Sequence, residues 1–347
     1  MSPLPAGPKA GRRPRPALAR RLWGAGAAAT VTGTFLAWLA VSLGGQATVR
    51  GFDDTVTALA ALAAAAACAR AGLRSPGPLR PHWLLLAGAC SAWALAEVTW
   101  EVYDVVLRTR VPVPSWADLG YLGAIPLAGA ALVAHPAMRR RRPEKVAAVL
   151  DGLVLASALL FLSWSFVLGP LWRSTDLSTL GGAVAVAYPF GDVVLVFLAV
   201  MALRPLRRGE RGELWCVLGG LVAMALTDST YTYLVERGSY STGNLVDTGW
   251  VVAYLALALG AFGSGLETAG AAARSPAEGH DAISSAVAPF VPVLVALGAL
   301  AVDGLLGHHL DRAGWAMALA LSLLAVLRQA VGFWGRLAAP GRAVVGR

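Results

Sequence analysis

Residues 184–203 read V-A-V-A-Y-P-F-G-D-V-V-L-V-F-L-A-V-M-A-L, with Asp192 as the single charged side chain. A hydrocarbon core about 30 Å thick takes about 20 apolar residues as one helix, so this stretch predicts a transmembrane span. Working outward from it, nine more stretches meet the same condition: 22–45, 52–70, 82–104, 117–135, 146–170, 213–234, 245–263, 285–306 and 313–334. Lipid leaves the backbone only helices or closed barrels, and a barrel needs short alternating segments where this chain has long Ala/Leu/Val runs. The expected fold is therefore all-α, a polytopic bundle of about ten spans.

Composition agrees. Of 347 residues 57% are hydrophobic and 14% charged, against about 25% charged in a soluble domain, and the mean hydropathy is +0.62. These values exclude a water-soluble enzyme and a disordered chain. The first span is not expected to be a cleaved signal peptide, because it is long and follows a basic tail with no small-residue cleavage site. Cys68, Cys90 and Cys216 each sit inside an apolar run and read as small buried hydrophobes.

The formal charge of +9 reports topology rather than nucleic-acid binding. With the N-terminus cytoplasmic, 23 of the 29 Lys and Arg fall on cytoplasmic stretches and 6 on outer loops, as the positive-inside rule requires. Both termini are then cytoplasmic, in a cell membrane. The basic residues Lys9 to Arg21 can also meet anionic lipid.

The chain repeats itself. A-L-A-E-V-T-W-E-V-Y (94–103) aligns with A-L-T-D-S-T-Y-T-Y (225–233) at an offset of 131. D-L-G-Y (118–121) aligns with D-T-G-W (247–250) at 129, and F-D-D (52–54) with F-G-D (190–192) at 138. The near-constant offset predicts a duplicated four-helix unit with parallel copies. The expected organisation is a basic tail 1–21, a first repeat 22–137, a second repeat 138–264, a linker 265–284, two further spans within 285–335 and a tail 336–347.

The repeated positions are acidic or aromatic and gather toward the outer side. Asp54, Asp118, Asp192 and Asp247 read as openings of spans 2, 4, 6 and 8, where an Asp caps a helix N-terminus and can also meet a ligand. Glu97 and Asp228 lie mid-helix, where capping is unavailable and a carboxylate in lipid costs roughly 2.5–3.5 kcal/mol. They must face the bundle interior and find donors, for which Thr99, Thr230, Tyr103, Tyr233, Arg108 and Arg110 are candidates. Trp100, Tyr121, Tyr231 and Trp250 recur at matched positions, although Trp and Tyr also line membrane interfaces in general. The candidate ligand site is thus Asp54, Glu97, Trp100, Asp118, Tyr121, Asp192, Asp228, Tyr231, Asp247 and Trp250, an outward-opening polar vestibule.

No Walker loop, G-x-S-x-G, H-E-x-x-H or paired-Cys motif occurs, so neither a catalytic centre nor a cofactor is expected. His308, His309 and Asp311 read as a solvated loop rather than a metal site.

P-V-P-S-W-A-D-L-G-Y-L (112–122), Y-P-F-G-D (188–192) and the D-S-T-Y…G-S-Y…D-T-G-W run (228–250) resemble the multi-span N-terminal module of actinobacterial signalling proteins. The resemblance covers roughly 20–335. In those proteins the module precedes GGDEF, EAL or PAS domains; none of these follows the last span, so cyclic-dinucleotide chemistry is not carried over. The resemblance implies an input or sensory membrane module; with the placement of the acids, the expected reading is a non-enzymatic protein that binds a small ligand or ion, or responds to membrane state, and signals through helix shifts to a separate cytoplasmic protein. The expected partners are otherwise the lipid bilayer, with room for a homo-oligomer and no nucleic acid. The rival expectation is a secondary transporter with parallel repeats, since acidic residues in spans mark ion paths. A membrane enzyme that uses two carboxylates on a lipid-linked substrate is a more remote reading.

Overall fold

The structure is a computed structural model. It describes residues 15–75, 77–109, 111–139, 145–174, 179–203, 206, 211–271, 294, 298, 300–301 and 310–337. Among these, nine long helices carry the fold: α1 Arg15–Val41, α2 Gln46–Arg74, α3 Leu79–Glu101, α4 Trp116–Ala134, α5 Lys145–Ser163, α6 Leu180–Leu203, α7 Gly212–Glu236, α8 Thr248–Ala271 and α9 Arg312–Leu337. Single π-helical turns, Val102–Val106 and Trp164–Leu168, continue α3 and α5.

Eight of these helices are long and apolar enough to cross a membrane; α5 carries a shorter apolar stretch, Leu150–Phe166. Large apolar side chains point away from the protein all round the bundle, among them Leu59, Leu95, Leu119, Leu226 and Leu319, each more than half exposed. Water would not tolerate that surface, whereas acyl chains solvate it. The chain is an all-α, multi-pass membrane protein. The ninth expected span, 285–306, lies largely outside the described residues, as do the ends of the chain. Helix α8 runs on to Ala271, past the expected start of the linker.

Six helices close a ring in the order α2, α3, α4, α6, α7, α8 and back to α2. Helix α1 lies against α8 and α2, α5 against α6, and α9 against α5. The ring closes tightly because its seams are lined with small residues. Ala61, Ala64 and Cys68 on α2 meet Trp83, Leu86, Ala89 and Cys90 on α3, all essentially inaccessible. Between lipid-embedded helices, small side chains bring the backbones close and maximise dispersion contact. Both cysteines are fully buried and meet each other across this seam, while Cys216 is half-buried.

Helices α5 and α9 form a second, smaller core of Val154, Ala158, Phe161 and Leu321. An ion pair joins them, Arg328 Nε donating to Asp151 Oδ1 at 2.5 Å. The charge count places Arg328 in a cytoplasmic stretch; the structure places it within α9, facing a carboxylate.

Candidate functional site

Two turns of the same design start α4 and α8. At Ser115-x-x-Asp118-x-Gly120-Tyr121 the Asp118 carboxylate accepts from the Ser115 backbone N–H and hydroxyl, a capping box. At Asn244-x-x-Asp247-x-Gly249-Trp250 the Asp247 carboxylate accepts from the backbone N–H of Asn244 (2.8 Å) and Gly243 (2.9 Å), and Asn244 Oδ1 accepts from Val246. Each box ties up backbone donors that a helix start leaves unpaired. The glycine two residues on lets the helix approach its neighbour. A Cβ on Gly120 would stand 2.7 Å from the Ala92 carbonyl oxygen of α3, and one on Gly249 would run into the Thr227 side chain of α7.

That close approach delivers the next residue to an acid. The Tyr121 hydroxyl donates to Glu97 Oε2 at 3.0 Å, and the Trp250 indole N–H donates to Asp228 Oδ1 at 2.7 Å. Both clasps join a helix to the one before it, α4 to α3 and α8 to α7. Glu97 receives a second donor, the Tyr254 hydroxyl of α8, at 2.8 Å, so one carboxyl ties three helices together. Trp100 meets Tyr231 edge-on, ring centres 6.4 Å apart, and Tyr231 also packs on Trp250 and Tyr240. Eight of the ten expected site residues thus fall into two neighbouring polar and aromatic groups: Glu97, Tyr121 and Asp118 in one, and Trp100, Tyr231, Trp250, Asp228 and Asp247 in the other. Asp118 enters through Tyr188 of α6, whose hydroxyl donates to it and whose ring lies against Tyr121.

Asp54 and Asp192 differ from the expectation. They do not open their helices: α2 begins at Gln46, about two turns before Asp54, and α6 at Leu180, about three turns before Asp192. Each is buried and, among the described residues, has one carboxyl oxygen, Oδ2, without a hydrogen-bond partner. The two residues end the matched F-x-D motifs and share this state. The neighbouring Asp53 accepts from the Gly243 N–H at 2.9 Å, the same N–H that donates to Asp247.

Several expected donors are spent elsewhere. Thr99 and Thr230 donate to the carbonyls of Leu95 and Leu226 on their own helices, as hydroxyls four residues past a carbonyl commonly do. Tyr233 stacks under the Arg237 guanidinium, and Arg110 lies outside the described residues. Tyr254, Tyr188 and Tyr240, which do the work instead, belong to no aligned motif pair, so the repeat alone could not reveal them.

Outside the spans two groups are perturbed. Burial, followed by the charges of Asp247 and Asp53, pushes the Tyr240 phenol well up, which keeps it a neutral donor to Asp247 Oδ1 at 3.1 Å. The Gly314 N–H, with Trp164 and Arg173, holds the Asp311 carboxyl below the usual carboxylate range. Asp311 caps α9 through Gly314 (2.7 Å) and anchors Arg173 (2.7 Å). His308 and His309 lie outside the described residues, and among those described no group of three acids, histidines or cysteines is placed to hold a metal ion.

No protein-family model matches the chain, and no curated protein or solved structure is significantly similar to it.

Proposed function

We propose that the chain is a membrane sensory module built from two copies of a four-helix unit, α1–α4 and α5–α8. Both termini lie in the cytoplasm, and the clasp-bearing ends of α3, α4, α7 and α8 face outward. A small ligand or ion acts at the clasp network without being chemically changed, and the signal passes through helix shifts to a separate cytoplasmic protein. One observation carries this reading: Tyr121–Glu97 and Trp250–Asp228 are the same bond at repeat-matched positions. Two matched carboxyls, Glu97 buried and Asp228 half-buried, each held by an aromatic donor from the next helix, are a device whose helix spacing depends on what competes for those donors. Duplication is supported by the ring itself. Exchanging α2–α4 with α6–α8 turns the α8–α2 seam into the α4–α6 seam, and both are packed. Trp100 touches Tyr231, its own repeat counterpart, as residues near a twofold axis do. The sequence resemblance to actinobacterial sensory modules points the same way.

The test is a chimera that carries a diguanylate cyclase after α9. Replacing Glu97 or Asp228 by Ala should change its cyclic-dinucleotide output several-fold with normal membrane insertion. Unchanged output would remove the sensory role of the clasps. The second reading is an ion-coupled transporter, favoured by Oδ2 of Asp54 and of Asp192, which within their spans have no hydrogen-bond partner among the described residues. Proteoliposome flux lost in Asp54→Asn and Asp192→Asn would promote it.

A further inference from the structure

Among the described residues, five of the six ring seams are stitched by a hydrogen bond. Thr55 donates to Glu101 across α2–α3 (2.8 Å), Tyr121 to Glu97 across α3–α4, and Tyr188 to Asp118 across α4–α6. Trp250 donates to Asp228 across α7–α8, and the Gly243 N–H leading into α8 donates to Asp53 of α2. At the sixth seam, α6–α7, the hydroxyls beside Asp192 stay on their own helix: Ser229 donates to the Ala225 carbonyl and Thr230 to that of Leu226.

Along this seam a groove of about 590 Å³ opens between α5, α6 and α7, within the size range of small-molecule sites. Its walls are apolar, and Phe166, Leu226 and Tyr233 on it are 45%, 65% and 49% exposed, so it opens sideways toward acyl chains. Asp192 lines it; the residue is more than nine-tenths buried, and among the described residues its occluded Oδ2 has no hydrogen-bond partner.

The position of Asp192 selects the occupant. It lies about 18 Å along α6 from Leu180 and about 16 Å from Leu203, near mid-span. The ammonium of a phospholipid sits at the membrane surface and does not reach this depth, and a free cation pays heavily to arrive there. A hydroxyl on an apolar body dissolves in the hydrocarbon and brings a donor to the carboxyl of Asp192 that lines the groove.

We propose that the α5–α6–α7 groove binds a neutral, membrane-dissolved hydroxyl compound, its O–H donating to Asp192 and its chain lying along Val196, Val222 and Leu226. A long-chain or polyprenyl alcohol and a quinol share this chemistry. The site faces outward from the ring and does not rest on the sensory reading: substitutions at Glu97 leave it intact, so the two proposals fail separately.

The test uses the full chain in phospholipid nanodiscs and a hexadecanol analogue that carries a diazirine and an alkyne, with its methyl ether as the donor-free control. On the wild-type protein the alcohol should label α6 and α7 peptides saturably, with the ether about tenfold weaker, the worth of one hydrogen bond to a buried carboxyl. Ala225→Trp, which fills the groove, should abolish labelling, and Asp192→Leu should bring the alcohol down to the level of the ether. Unlabelled polyprenol and a short-chain quinol then compete: displacement by either supports the proposal and names the source. Equal labelling by alcohol and ether, labelling unaffected by Ala225→Trp, or displacement by neither competitor would overturn it. The ether comparison uses the wild-type chain alone, so it decides the matter even where a variant fails to fold.

Discussion

Glu97 shows how a carboxyl survives inside a span. It is buried on α3 and meets two phenols, Tyr121 from α4 and Tyr254 from α8. Both phenols are donors, so the carboxyl oxygens are satisfied without a counter-ion. Hydrogen bonds between transmembrane helices are worth about 0.6–2 kcal/mol each. Tyr254→Phe and Tyr121→Phe should each lower thermal stability in detergent by that order. The double variant should lose less or more than the sum, with a coupling of about 0.5–3 kcal/mol, because the two donors share one acceptor. Strict additivity in a double-mutant cycle would show that Glu97 is not the common partner. Asp228 has the indole of Trp250 in the corresponding place, which accounts for the aromatic residue in the D-x-G-Y/W motif at both places where it occurs.

At the scale of the element, the motif glycines matter because α4 and α8 must come close enough for those aromatics to reach. Gly249→Ala drives a methyl group into Thr227, and overpacking of this kind costs about 1–3 kcal/mol. Adding Thr227→Ala should recover part of the loss, seen as a partial return of the melting temperature. Gly120→Ala should resist such rescue, since its obstacle at 2.7 Å is the Ala92 backbone carbonyl. The α5–α9 pair depends on charge instead. Asp151→Ala strands the Arg328 guanidinium in a partly buried position and should destabilise by about 3–5 kcal/mol, whereas Asp151→Leu with Arg328→Leu should be much milder. Equal losses in the single and double variants would show that the pair contributes packing alone.

At the scale of the whole molecule, hydrogen bonds stitch five of the six ring seams among the described residues, and the sixth, α6–α7, is held by packing. The proposed orientation has a direct check. In a cysteine-free background, Thr109→Cys and Ser239→Cys should react with a membrane-impermeant maleimide in intact cells, and Ser75→Cys only after permeabilisation. The reverse pattern would invert the molecule. Hydropathy and the repeat by themselves determined that the chain is a helical membrane protein, where most spans lie, and which acids and aromatics recur. Those properties are local: each helix must satisfy its own backbone in lipid, and a motif keeps its spacing wherever it is placed. Only the tertiary structure decided which donor meets which acid. Tyr254 and Glu97 stand 157 residues apart, and Arg328 and Asp151 177 apart; such partners are chosen by which helices pack together, which no window of sequence encodes. The same holds for Asp192, whose helix begins turns earlier than the acid suggests, because in lipid an apolar run stays helical until the chain leaves the membrane; α2 likewise begins about two turns before Asp54.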